Sequence, residues 1–131
     1  MFKISYKDLR SDALHRTLQK VAQSTSYKNI VKLKKVAALV KAMDKAITQS
    51  QKEWVALADK LIKKDAEKGT FLIDSKGPTW VDGVDPVQGE KEIDLFTEKE
   101  AIIDAEQITA HDIETVEISP ADLVALSAVM K

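Results

Sequence analysis

The chain has 131 residues, 44% apolar and 31% charged, with two histidines and no cysteine. That length suits one domain with its own core, and the lack of cysteine excludes disulfides, thiolate zinc sites and cysteine nucleophiles, in keeping with a reducing cytoplasm. The formal net charge of −1 hides an asymmetry: residues 1–68 hold 16 Lys or Arg against 7 Asp or Glu (+9), and residues 69–131 hold 4 against 14 (−10).

Three readings of this asymmetry stand side by side: the acidic half folds back on the basic half, copies attract head to tail, or the basic half meets an external polyanion. With few aromatics, a core of Leu, Ile, Val and Ala points to a mainly α fold with a small β element, of class α+β. A single domain over 1–131 is expected, with a basic helical hairpin over 1–68 and an acidic strand, loop and C-terminal helix over 69–131. Charges break every hydrophobic run, so neither a signal peptide nor a membrane span is expected.

In chain order, Ser5 with Asp8 resembles a capping box, and Leu9, Ala13, Leu14, Leu18, Val21 and Ala22 then recur at helical spacing. This predicts a helix of about 18 residues. Ser24-Thr25-Ser26 breaks it and offers caps for a second helix. No Pro or Gly follows until Gly69, so the second helix is expected from Tyr27 to Glu67, roughly 60 Å long.

Along that helix Ile30, Leu33, Ala37, Val40, Asp44, Ile47, Gln51, Trp54, Ala58 and Leu61 alternate in steps of three and four. This is a coiled-coil-like seam, interrupted by Asp44 and Gln51, that serves either the core or a subunit interface. Opposite it, Lys34, Lys41, Lys45, Lys52 and Lys63 fall within about 40° at ~100° per residue. Lys28, Lys32, Lys35, Lys60, Lys64 and Lys68 widen the stripe. It serves as a solvated face, a partner-binding face or a track for phosphates. Base-specific readout has no support, because the helix carries no arginine and no RNA-binding motif accompanies it.

Past Gly69, residues 70–73 suit a short strand. "DSKGPTWVDGVDPVQGE" then reads as a mobile, turn-rich loop, with Trp80 as its anchor or as a partner contact. Asp74, Asp82 and Asp85 lack the spacing and closing glutamate of an EF-hand. Residues 91–100 suggest a short helix with Ile93, Leu95 and Phe96 inward. "AIIDAEQI" and "VEI" suggest two strands, with residues 71–73 as a third, around a helical turn capped by Thr109. Ser119, Pro120 and Asp122 stand as N-cap, first residue and third residue of a terminal helix. Its Leu123, Leu126 and Met130 are expected to close the seam left open by the first helix.

His15 and His111 form no metal-binding pair or triad pattern. Phosphate-loop, dinucleotide and nucleophile-elbow motifs are absent, and neither catalysis nor a cofactor or metal is expected.

The order of elements, ending in "AIIDAEQITAHDIETVEISPADLVALSAVMK", resembles small proteins encoded by tailed bacteriophages and prophages. The similarity is clearest over residues 99–131, above all in "VEISPADLVAL". Those proteins often carry a more regular acidic and apolar strand before the ending. The family has no catalytic residues to carry over. The resemblance implies a non-enzymatic role in virion structure, assembly or host interaction, in the cytoplasm of an infected bacterium or in the virion. The expected partners are other phage proteins or further copies of the chain. The alternative is a host-takeover or nucleic-acid-associated factor that uses the lysine face.

Overall fold

Ser5 is expected to start the first helix. The computed structural model, which describes residues 1–24 and 29–131, places a strand before it. Phe2–Ser5 forms β1, paired antiparallel with β4 (Glu100–Ile103) from Phe2 opposite Ile103 to Ser5 opposite Glu100. Ile4 and Ile103 are buried, so each strand turns part of its apolar side inward. Ser5 then caps α1 (Tyr6–Leu9) by accepting from the Asp8 amide at 3.1 Å.

The expected single first helix is two helices. Ser11 breaks the run and caps α2 (Asp12–Ala22), accepting from the Leu14 amide at 3.4 Å. A second serine cap outweighs apolar periodicity because its oxygen satisfies an amide that a new helix leaves open. Thr25, Ser26, Tyr27 and Lys28, where caps and the start of the second helix are expected, lie outside the described residues.

The long helix α3 runs from Ile30 to Leu61, not to Glu67. Backbone pairing ends it: the Leu61 carbonyl, which a helix end would orphan, accepts from the Val81 amide at 2.9 Å, and the Lys63 amide donates to Thr79 at 2.8 Å. Gly69, at φ 68, serves a tight turn rather than a helix stop. There the Gly69 amide donates to the Asp65 carbonyl at 2.8 Å, and the Asp65 amide donates to Thr70 at 2.7 Å.

Residues 74–90 are likewise more ordered than a mobile loop. β2 (Ile73–Asp74) and β3 (Gly77–Pro78) pair as a hairpin, and α4 (Pro86–Thr97) starts at Pro86 under an Asp85 cap. Asp-Pro here is a helix start, not a turn. Phe96 is buried inside α4 and Ile93 is half-buried, but Leu95, expected inward, is 56% exposed.

The expected "VEI" strand is not formed. The partner of β4 is β1, while Ile73 belongs to a separate two-stranded sheet and Phe71 bridges to Lys64. The turn in "TAHDIE" is present as a 3₁₀ turn over His111–Ile113, and the Asp112 amide donates to Thr109 Oγ1 at 3.3 Å. α5 (Pro120–Leu126) has the full capping box between Ser119 and Asp122. It packs on α2. Leu126 is its buried residue and Val129 is buried in the 3₁₀ turn that follows, whereas Leu123 is 43% exposed.

The fold is α+β, as expected. Two compact units divide it: Met1–Thr48 with Glu100–Lys131, and Gln49–Lys99. In the second, Ala58, Leu61 and Ile62 are buried, with Trp54, Leu57, Phe71, Trp80, Val84 and Ile93 packed around them. Trp54 and Phe96 meet at 5.7 Å between ring centroids, tilted by 43°, a favourable offset for aromatic pairs.

Candidate protein-contact face on the long helix

Within the unit that contains Met1–Thr48, α3 presents three kinds of surface. Val36, Leu39 and Met43, in steps of three and four, are at most 1% exposed and face the core. About 180° away at ~100° per residue stand Lys34, Lys41 and Lys45, all exposed. Between the two lie Ile30, 65% exposed, Leu33, 40% exposed, the exposed Ala37 and the half-buried Val40.

The N-terminal part of the expected seam is therefore not the buried face. A strict 3.5-residue repeat drifts by roughly 20° per heptad on a straight helix, or about 80° from Ile30 to Ala58. Near Ala58 and Leu61 the seam coincides with buried positions, and Ile47 and Trp54 are half-buried. Near Ile30 it has rotated to one side, leaving an apolar stripe that is partly exposed among the described residues. A hollow of about 340 Å³ opens there, lined by Ala22, Leu33, Val36, Ala37, Val40, Lys41 and Asp44.

The lysine stripe separates into used and unused cations. Lys32 Nζ donates to the His111 carbonyl at 2.9 Å and to Glu114 Oε1 at 3.1 Å. The Lys32 bond holds the Glu114 carboxyl below the usual carboxylate range, against a smaller opposing effect of burial and with help from His111. Lys35 Nζ donates to Asp112 Oδ2 at 2.7 Å. Lys34, Lys41 and Lys45 make no ion pair among the described residues. An exposed, unpaired lysine keeps its full charge available for a partner.

The other expected contact residues lie elsewhere. Lys52 is exposed in the Gln49–Lys99 unit. Lys63, beyond the end of α3, pairs with Asp82 at 3.1 Å, while Lys64 pairs with Asp59 and sits 5.1 Å from the centre of the Phe71 ring. Trp80 is half-buried on the Ala58, Leu61 and Ile62 cluster and lies against α4 at Gly89, where a Cβ would stand within 2.8 Å of three of its ring carbons. It anchors the turn-rich segment.

Ion pairs join the basic to the acidic half: Lys20 to Asp122, Lys32 to Glu114, Lys35 to Glu106 and Asp112, and Lys63 to Asp82. This is the folding-back that the charge asymmetry allows.

The remaining polar groups have local duties. His15 Nε2–H donates to the Leu9 carbonyl. His111 Nδ1 lies 3.1 Å from Glu114 Oε2 rather than beside Asp112. Asp74 accepts from the Lys76 amide at 2.8 Å, and Asp85 from the Val87 amide at 3.3 Å. Among the described residues, no three of His, Asp and Glu gather as metal ligands, and no helix is long and apolar enough to cross a membrane.

No family model, curated protein or solved structure matches the chain.

Proposed function

We propose that the protein is a non-enzymatic component of a phage or prophage that works through protein–protein contacts in virion structure or assembly. The observation that carries the contact part is the stripe of Ile30, Leu33, Ala37 and Val40, with Ile30 65% and Leu33 40% exposed beside an open apolar hollow. Contiguous apolar surface of this kind, rimmed by charge, marks interaction sites. The phage setting is supported by the resemblance of residues 99–131, and it places the protein in the infected bacterium or in the particle.

A second reading, a host-takeover or nucleic-acid-associated factor, is favoured by the alignment of unpaired Lys34, Lys41 and Lys45 on one side of α3. Three lysines give weak, salt-sensitive attraction for phosphates without sequence readout.

The test is a photo-crosslinking residue in place of Leu33, expressed in cells producing the phage or prophage that carries the gene. Bonds to a protein chain of the particle, a second copy included, support the contact reading. Bonds to nucleic acid alone, or none, overturn it.

A further inference from the structure

The exposed face of α4 complements that of α3. Val87 is 74% and Leu95 56% exposed, and Glu90, Asp94 and Glu98 are exposed around them. At ~100° per residue, Glu90, Asp94, Val87 and Glu98 share a sector of about 80°. None of the three acids makes an ion pair among the described residues. The exposed Lys91 also lies on this side, leaving three acids against one lysine, a balance of −2. The α3 stripe carries Lys34, Lys41 and Lys45 on its rim and Asp44 at its end, a balance of +2. The lengths match as well: Ile30 to Val40 spans ~15 Å and the whole of α4 ~18 Å.

We infer that α4 of one copy docks on the Ile30, Leu33, Ala37 and Val40 stripe of a second copy, its acids meeting Lys34, Lys41 and Lys45. The inference rests on the reading of the protein as one that acts through protein contacts, and it names the partner. Charge complementarity selects a second copy: both faces belong to one chain and are therefore present in equal number. Because the two faces differ, a single such contact is heterologous, and the pair retains one free stripe on one copy and one free α4 on the other. Repetition gives a ring where the rotation closes and a filament where it does not. One helix on one stripe is a small interface, so a single contact has a dissociation constant on the order of micromolar or weaker.

The experiment is sedimentation velocity of the full chain over a concentration series, at low and high salt. Two variants accompany it: Lys34→Glu with Lys41→Glu and Lys45→Glu, and Glu90→Lys with Asp94→Lys and Glu98→Lys. All six positions are exposed, and circular dichroism checks that both variants fold. The wild type is expected to associate with rising concentration and to weaken in salt, as screening shortens from roughly 10 Å at 0.1 M to about 3 Å at 1 M. Each variant alone is expected to lose about tenfold or more in association, and an equimolar mixture to regain it, since reversed faces match each other. A wild type that stays monomeric throughout, an association indifferent to either reversal, or a mixture no better than its parts would overturn the inference. A monomeric wild type whose position 33 still bonds to another particle protein leaves the contact reading standing, so the two failures are separable.

Discussion

Lys35 Nζ stands 2.7 Å from Asp112 Oδ2, and the same oxygen accepts from the Thr109 amide at 2.8 Å and the Thr109 hydroxyl at 3.0 Å. One carboxylate thus ties α3 to the turn before the C-terminal helix, at a residue only 8% exposed. Burial pushes the Asp112 carboxyl up, but the hydrogen bonds from Lys35 and Thr109 outweigh it and leave the group below its ordinary value. A depressed folded pKa contributes stability that is complete above the unfolded value of about 4 and is lost as pH falls through the folded value. Asp112→Asn is expected to cost about 1–2 kcal/mol at neutral pH, discounted for the partial exposure of Lys35. Urea unfolding at pH 7 and at pH 3 checks this: the gap between variant and wild type should narrow at the lower pH.

Gly89→Ala tests the seat of Trp80. Alanine ordinarily favours a helix over glycine by about 1 kcal/mol. Here the added carbon would stand within 2.8 Å of three indole carbons, so the ring must swing off the Ala58, Leu61 and Ile62 cluster. Net destabilisation of about 1–2 kcal/mol is expected, with a change in tryptophan emission. A variant with higher thermal stability and unchanged emission would contradict the packing.

Ser119→Ala removes one arm of the capping box on α5. The Asp122 amide loses its acceptor at 3.2 Å, while the return bond from the Ser119 amide to Asp122 Oδ2 at 3.0 Å remains available. The expected cost is ~1 kcal/mol. Hydrogen exchange is expected to quicken at the first amides of α5 and to leave Gln49–Lys99 unchanged.

Lys41→Glu with Lys45→Glu tests the nucleic-acid reading. If the lysine face binds nucleic acid, wild-type affinity should fall with salt at a logarithmic slope of roughly −3 or shallower for three lysines, and the double variant should abolish binding. Unaltered binding in the variant would move the contact away from α3. Complete absence of wild-type binding at low salt would remove the nucleic-acid reading.

What could be read from the sequence was local. The α5 start was fully legible because Ser119, Pro120 and Asp122 carry the whole signal within four residues. Asp85 and Pro86 carry the same chemistry, yet neighbouring Asp82-Gly83 and the glycine at 89 masked it as a turn. β1 could not be read from four residues, since its pairing depends on a segment almost a hundred positions away. α3 was legible as a helix, but its buried side was not: Val36-Leu39-Met43 and Ile30-Leu33-Ala37-Val40 are both apolar, and only tertiary packing selects between them. For the candidate face, Lys34, Lys41 and Lys45 were visible by spacing, whereas the engagement of Lys32 and Lys35 needed the fold.

The pairing of β1 with β4 sets an order for synthesis. Gln49–Lys99 is complete as soon as Lys99 is made, while Phe2 must wait for Ile103. The later-starting unit has all its own chain first, and the N-terminal strand spends most of translation as an unpaired edge. Such an edge is open to pairing with other chains, so slow elongation through residues 49–99 would burden the nascent protein more than an equal delay after Ile103.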